Sequence, residues 1–570
     1  GLGNAASGSV AGRGGDWDLF HKAPKEIGWR KRLAKVPDGR LPVISVVMPV
    51  YRTPLALLER TVLSVITQEY PKWELCIADD GSGDESLREW LESRARGDSR
   101  IKLTISDHNR GISAATNAAL ALCTGDFVAL LDHDDELTPD ALGEVAGVLA
   151  EHPETDAVYS DQDKMDGSGR RYQPFHKPAW SPVFFLGVMY VGHLLVIRRD
   201  VMETVGGCDT RFDKVQDYEL MLRVSEVTDR IRHIPKILYH WRAITGSVAA
   251  SHSAKGSIEE LQAAAVAAHL RRRKIAAEAV SHPRHAHRVL LEPATDQPQP
   301  AISIIIPTAG DSPTLGVCLA SIVEKTTYAE YEILLVVRKD PNRTDVQNRN
   351  LAAARGIARV RVLEYDFPFN YSRVNNFAAD VACGTMLVFL NDDTSVITHG
   401  WLESMATHLS LPRVGAVGPR LLYPDGSVQH AGVVLGFRGT ADHVMRGFPC
   451  DADGYFGSLC VSREVSAVTG ACLMTRADTF RSVGGMRECY ASVYQDVDLC
   501  LRIRQSGHSI IYVANVELVH HESTTRGSGY DRVDREILID RWREELAADP
   551  CYNANFTRNR HDYTLKWAQS

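Results

Sequence analysis

Asp132-His133-Asp134-Asp135 places three carboxylates within four residues. Like charges this close repel unless a cation or hydrogen-bond donors compensate them. Two readings are open: a solvated acidic turn that caps a helix, or oxygen ligands for a hard divalent cation that bridges carboxylate to phosphate. A second pair, Asp79-Asp80, runs into Gly81-Ser82. That is turn composition, or a carboxylate that accepts a base N–H from a nucleotide. Gln216-Asp217-Tyr218-Glu219 opens a helical pattern, either as a cap or as a general base that takes a proton from an acceptor hydroxyl. His240 ends a short apolar stretch, as a structural residue or as a contact to metal or diphosphate.

Each of these features except the Asp79 pair returns later in the chain. Asn391-Asp392-Asp393, Gln495-Asp496 and His520 repeat them, with His521 competing for the histidine role. Pro49 and Pro307 stand 258 residues apart, Asp132 and Asn391 259, Asp217 and Asp496 279, and His240 and His520 280. Blocks kept in order at nearly constant offset indicate a duplicated domain. The step from 259 to 279 puts an insertion of about 20 residues in the second copy, around 428–470. The strand matching Glu74–Ala78 runs instead into Arg338-Lys339-Asp340, so two cations are expected where the first copy has its acidic pair. His282, His285 and His287 match no zinc spacing and are expected to be solvated.

The elements that must position these residues alternate. Ile44–Val50 is a continuous apolar run, as expected of a buried parallel strand. Leu55–Thr67 has helical spacing, Glu74–Ala78 reads as strand, 84–96 as helix, 101–105 as strand and 112–123 as helix. Asp126–Leu131 is a further buried strand ending at the acidic cluster. Such alternation predicts an open α/β sheet, in which ligands sit beyond the carboxyl ends of the strands. Both acidic clusters of the first copy fall at such ends. Ser257–Val280 is Ala-, Leu- and Arg-rich and reads as helix. The division read from sequence is a lead-in or tail over 1–40, a first domain over 41–290, a Pro-rich linker over 291–300, and a second domain with a C-terminal extension over 301–570.

The 570 residues are 44% hydrophobic and 24% charged, ordinary globular composition. Lys and Arg number 64 against 72 Asp and Glu, a net charge of −8, which disfavours sequence-independent nucleic-acid binding. Eleven scattered cysteines without a CxxC pair read as reduced thiols of a cytoplasmic protein. The small, polar residues 1–15 read as a flexible tail without a signal peptide. The longest mostly apolar run, Val183–Ile197, is broken by two glycines and His193 and is too short to span a bilayer, so any membrane contact is expected to be peripheral. A nucleotidyl transferase would show a Gly-rich phosphate loop with a nearby Lys after the first strand, and none is present.

Taken together, SVVMPVY, WELCIADDGSGD, NRGISAATNAAL, LLDHDDELTPDAL, VQDYEL and YHW in the first copy, and SIIIPT, FNYSRVNNFAA, FLNDDTSV, VQHAGVVLG, VTGACLMTR, VGGM, YQDVDLCLRI and HHES in the second, resemble the family 2 glycosyltransferases in a tandem arrangement. The resemblance spans residues 40 to 530 and is greatest to the bacterial enzymes of O-antigen, capsule and rhamnose-containing surface polysaccharides. It implies two GT-A domains, Rossmann-like and mostly parallel. It implies nucleotide-sugar contacts from Pro49, Tyr51, Asp79 and Asp132, and from Pro307, Thr308 and Asp392. It implies a divalent cation, Mn2+ or Mg2+, at Asp134 and His240 and at Asp393 and His520, and catalytic bases at Asp217 and Asp496. Asn391 stands where the family's first acid is expected. The implied partners are a nucleotide-sugar donor and an oligosaccharide or lipid-linked glycan acceptor, joined by an inverting single displacement. Either both copies are active, or the second is a degenerate glycan-binding module.

Overall fold

The computed structural model describes residues 28–34, 36–37, 40–243, 257–295, 299–522 and 531–566. The chain divides into two compact units: one holds the described residues up to Trp180 and from Met189 to Arg273, the other Ser181–Val188 and the described residues from Lys274 onward.

In the first unit β1 (Ile44–Val50), β2 (Trp73–Asp79), β3 (Ile101–Ile105) and β4 (Phe127–Leu130) are the expected parallel strands. All seven residues of β1 and of β2 are buried, because helices on both faces of such a sheet leave neither face to solvent. The flanking helices are α2 (Leu55–Ile66), α3 (Glu85–Gly97) and α4 (Ile112–Leu120), preceded by a short α1 (Gly28–Leu33) from the basic lead-in. Trp29 of α1 is buried against α5 (Ala141–Glu151), where a Cβ on Gly143 would lie 2.6 Å from the indole. The sheet continues through β8 (Leu195–Arg198), β6 (Ala157–Met165), β9 (Ile231–Arg242) and β5 (Glu136–Leu137), with β7 (Arg171–Phe175) beside β6. Its order is β3-β2-β1-β4-β8-β6-β9-β5. Helices α7 (Arg199–Val205), α8 (Gln216–Val227) and α9 (Ser257–Arg272) complete the unit.

The second unit repeats this order. β14 (Val360–Tyr365), β13 (Tyr331–Arg338), β12 (Ile302–Thr308), β15 (Met386–Leu390), β22 (Cys472–Arg476), β17 (Val414–Leu422), β23 (Ser509–His520) and β16 (Thr394–Val396) lie in the sequence β14-β13-β12-β15-β22-β17-β23-β16. The register repeats as well: Ile44 pairs with Trp73 and Phe127, and Ile302 with Tyr331 and Met386. Helices α12 (Tyr371–Val381) and α15 (Gln495–Gln505) occupy the places of α4 and α8. The residues assigned to the insertion contain β18 (Val428–His430), the two-stranded pair β19 (Val433–Leu435) and β20 (Ala441–His443), and β21 (Arg463–Val465).

Two sequence expectations are corrected. The helix over 257–280 stops at Arg272, and Ala277–Ser281 is β10, which pairs with β11 (Val289–Pro293) in the second unit. The register sets Val337 and Arg338, rather than Arg338 and Lys339, in the places of Asp79 and Asp80, since Val50 pairs with Asp79 and Thr308 with Val337. Among the described residues, no helix is long and apolar enough to cross a membrane.

Ser181–Val188 contains α6 (Pro182–Gly187), whose Val183 and Phe184 N–H groups donate to the Glu464 carboxylate at 2.8 and 3.2 Å. Burial pushes Glu464 up to about 7 from an ordinary 4.5, against the opposing pull of those two donors. The folded chain therefore holds a proton between these pH values that the unfolded chain releases. Stability is expected to fall as pH rises from 4.5 to about 7 and to level off above it. Thermal unfolding of Glu464→Gln should lack this slope; parallel pH profiles for the variant and the parent protein would refute the assignment.

Candidate active sites

In the first unit the acidic cluster follows β4 directly, at the carboxyl end of the sheet. Asp132 and Asp135 have separate environments, and between them the Asp134 carbonyl accepts the Arg242 Nε–H at 2.7 Å. Asp135 is fully buried; it accepts the Tyr239 hydroxyl and the Arg242 N–H, each at 2.6 Å. Burial holds it well above the usual carboxylate range. Asp135 therefore ties the turn to β9, and the β5–β9 pairing sets Glu136 opposite His240. Asp132 lies 3.5 Å from His193 Nε2. Burial, and then the charge of Asp134, push it up to about 6. His133 turns away, with Nδ1 2.8 Å from the Thr53 hydroxyl.

Asp217 stands in the first turn of α8, yet it does not cap the helix: Val215 is the N-cap and no side chain caps it. Burial raises its proton affinity, while the nearby His193 lowers it. His240 has Nδ1 2.5 Å from Asp163 Oδ1 and Nε2 3.3 Å from the Arg171 guanidinium. Pro49 faces Ala78 across β1–β2, past the last β1–β4 pair, so its missing N–H breaks no bond on that side. Tyr51 is exposed just beyond β1, with the Arg52 guanidinium 5.2 Å from its ring centre. Asp79 is buried and accepts the hydroxyl and N–H of Ser82, and Asp80 accepts the N–H groups of Arg110 and Gly111.

In the second unit Pro307 pairs with Val336, and Thr308 closes β12 and donates to Asp392 Oδ2 at 2.6 Å. Burial pushes Asp392 up to about 6. Asp393 Oδ1 and His520 Nε2 lie 3.2 Å apart. His520 Nδ1 lies 2.7 Å from Gln429 Oε1. With that oxygen as acceptor, Nδ1 holds its proton there, and Nε2 is the nitrogen that faces the Asp393 carboxylate. Neighbouring ligands in an octahedral shell of radius about 2.1 Å are about 3 Å apart, so this pair fits a divalent cation. His521 faces Ser395 instead, at 3.5 Å. Asp496 accepts the Gly470 N–H at 2.7 Å, and the Tyr371 hydroxyl lies 3.0 Å from Gly470 O and 3.3 Å from Asn391 Oδ1.

Residues 45–206 match the family profile "Glycosyl transferase family 2", and residues 298–536 match "Glycosyltransferase like family 2". The chain carries two family 2 glycosyltransferase domains in tandem. It is 36% identical over 537 residues to the O-antigen biosynthesis protein RfbC of Myxococcus xanthus, covering 93% of this chain and 41% of RfbC. It is 38% identical over 536 residues to the uncharacterized protein y4gI of Sinorhizobium fredii, covering 92% of this chain and 58% of that protein. The chain thus spans about half the length of these relatives. Chondroitin synthase of Escherichia coli is 28% identical over 223 residues, 39% of this chain and 32% of its own. Among solved structures, S. aureus TarS 1-349 in complex with UDP-GlcNAc covers 40% of this chain and 66% of its own at 19% identity, with a TM-score of 0.34. The fold of each glycosyltransferase domain rests on the sheets described above.

Several residues that shape these glycosyltransferase sites escape sequence reading. Asp163 and Gln429, which orient the two histidines, lie far from them in the chain. Gln429 stands within the VQHAGVVLG block, the one trace of it in the sequence. Lys177 is fully buried and donates to Gln162 Oε1, Val191 O and His193 O at 3.0, 2.5 and 2.7 Å, and burial pulls it down to about 7. His193 shows in the sequence only as an interruption of an apolar run.

The expectation of a solvated histidine cluster is corrected. The β10–β11 turn folds onto the 453–460 loop, where His285 pairs with Asp453 near the buried Cys460. Burial lowers His282 to about 4. Arg288 hydrogen-bonds to Cys460, and Arg284, Arg288 and Arg420 all act on His282. With so many cations around it, this group is structural. Among the described residues, the other three-ligand group, Glu74, Cys76 and Cys123, has Lys102 2.7 Å from Glu74.

Proposed function

We propose that each unit is an inverting, metal-assisted glycosyltransferase, and that the chain adds two sugars from nucleotide-sugar donors to a growing bacterial surface glycan. The observation that carries this reading is the duplication of one arrangement: a strand-end acid, a histidine from the next-to-last strand of the sheet, and an Asp at the start of a helix that does not cap it. Asp217 and Asp496 take the proton of the acceptor hydroxyl. The donor sugar is then displaced from its diphosphate in one step with inversion, without the covalent sugar–enzyme intermediate of retaining glycosidases. Burial raises the proton affinity of Asp217, which suits a base. A Mn2+ or Mg2+ held by Asp393 and His520, and by Asp134 and His240 in exchange for the Arg171 guanidinium now at His240 Nε2, would supply positive charge for the leaving diphosphate. Pro49, Tyr51, Asp79 and Asp132, with Pro307, Thr308 and Asp392, line the donor sides. The free cysteines accord with a reducing cytoplasm, and an oligosaccharide or lipid-linked glycan is the acceptor class.

Val337 in place of Asp79 favours a second reading, in which the second unit only holds the glycan. Asp134→Ala and Asp393→Ala, assayed for each linkage with a panel of UDP-, GDP- and dTDP-sugars, distinguish the two. Each variant is expected to lower its own transfer about 100-fold or more. An Asp393→Ala protein that forms both linkages at the parent rate removes the second active site.

A further inference from the structure

The two domains carry different ring groups at one place. Asn117 exchanges hydrogen bonds with the Cys208 backbone as Asn376 does with that of Met486, which fixes the structural correspondence. By that correspondence Ile112 matches Tyr371, Gly192 matches Gly470, and His193 matches Ala471.

In the first domain the ring comes from the turn before β8. His193 stacks on Tyr239, with ring centres 4.7 Å apart and planes at 19°. Its N–H donates to Gln162 Oε1 at 3.0 Å, and its carbonyl accepts from buried Lys177. The ring is thereby fixed, with Nε2 3.5 Å from Asp132, one residue past Gly192, the counterpart of the Gly470 whose N–H holds Asp496 in the second domain. Its Nδ1 is buried and meets no hydrogen-bond partner among the described residues. Such an atom is costly to keep unless a ligand uses it. Ile112, at the start of α4, offers this place no polar group.

In the second domain the ring comes from the start of α12. The Tyr371 hydroxyl sits between Asn391 and Gly470, and the Gly470 N–H holds the base Asp496. A Cβ on Gly470 would lie 3.5 Å from the Tyr371 hydroxyl and 3.6 Å from Asp496 Oδ2, so phenol and base border one small space. At the His193 place there is only the methyl of Ala471. Each site thus has one polar ring between its first strand-end residue and its base, delivered from a different segment.

We propose that His193 and Tyr371 are the specificity-determining contacts to the acceptor sugar, and that their exchange makes the two domains accept different glycan ends. The place beside the base is where the attacking hydroxyl must lie, whereas the donor diphosphate belongs with the strand-end acids. An imidazole with an open nitrogen and a phenol anchored to a carbonyl present different hydrogen-bonding patterns to the sugar. A site built to pair a substrate hydroxyl rejects analogues that lack it by large factors.

The proposal rests on the two-site reading, so its test is made in the full chain with each linkage scored separately, using acceptors and donors found with the sugar-nucleotide panel. His193→Ala should raise the acceptor KM of the first transfer at least tenfold, with the donor KM within twofold and the second transfer unchanged. Tyr371→Phe should do the same to the second transfer. Tyr371→Ile combined with Ala471→His should move the acceptor preference of the second domain toward that of the first. A rise in donor KM alone, or an unchanged acceptor KM with unaltered thermal stability, overturns the proposal. Failure of the two-site reading is seen separately, as Asp217→Asn or Asp496→Asn leaving both linkages intact.

Discussion

Asp217→Asn is expected to slow the first transfer by roughly 10²–10⁴-fold and to leave the second at its parent rate, while Asp496→Asn does the reverse. The amide preserves shape. Asp217 Oδ1 accepts the Tyr218 N–H at 2.8 Å, and Asp496 accepts the N–H groups of Val497 and Gly470 at 2.8 and 2.7 Å. An Asn oxygen can replace the single acceptor of Asp217, whereas Asp496 accepts through both oxygens and its Asn variant keeps only one of the two bonds. What disappears is the capacity to hold the proton of the attacking hydroxyl. Neither residue caps its helix, so the stability at stake is little for Asp217→Asn and about one hydrogen bond for Asp496→Asn. The pH profile gives an independent check. Because burial raises Asp217, the first transfer should decline toward acid pH at values above the ordinary carboxylate range, since the protonated base is inactive. Product-resolved assays across pH 4 to 8 measure both effects. Full formation of both linkages by either variant would refute the base assignment.

The parallel strands were legible because their signal is local. Ile44–Val50 and Ile302–Thr308 are continuous apolar runs, and the duplication repeats each at a matched distance. The place of the acidic turns was legible for the same reason, since each follows a buried strand and so falls at the sheet's carboxyl end. The division of labour within the clusters was not. Asp132 and Asp135 look alike in the sequence, but only the pairing of β5 with β9 brings Tyr239 and Arg242 to Asp135. Asp163 and Gln429 are equally hidden. They orient equivalent histidines from different strands, one from β6 and one from the inserted β18. Val337 was misread as Arg338 because residue order alone does not set strand register, whereas the Thr308–Val337 pair does.

That difference in histidine partners separates the domains chemically. Asp163 gives His240 a charged acceptor, while Gln429 gives His520 a neutral one. In the first domain Nε2 is already met by Arg171, and in the second it meets the Asp393 carboxylate. Duplication has kept the backbone that delivers the ring and changed what the ring faces. The same holds for His193 and Tyr371, whose counterparts are Ala471 and Ile112. A sheet whose strand order is unchanged leaves its loops and second rows free to diverge.

Asp498→Ala should destabilise the second domain by about 3–5 kcal/mol. In Gln495-Asp496-Val497-Asp498 the two acids are two residues apart, so on a helix they point about 200° apart. One faces the site, and the other must face the interior. Asp498 is fully buried and takes Arg487 Nη1 and Arg502 Nε, each at 2.8 Å, and the Trp542 indole N–H at 3.0 Å. Burial already lowers the proton affinity of Arg502, so its charge is costly without this partner. The first domain solves the same problem with Glu219, whose carboxylate takes Arg223 Nε at 2.9 Å and Nη2 at 2.6 Å four residues on. Removing Asp498 strands the buried Arg502 guanidinium and the Trp542 indole donor, and takes from the half-buried Arg487 its partner. Asp498→Asn keeps one acceptor oxygen and should lose less. Urea unfolding followed by probes in each domain should show the second transition moving while the first stays in place. A loss below about 1 kcal/mol would mean that the arginines find other acceptors, and that the second acid of the motif contributes no more than a surface ion pair.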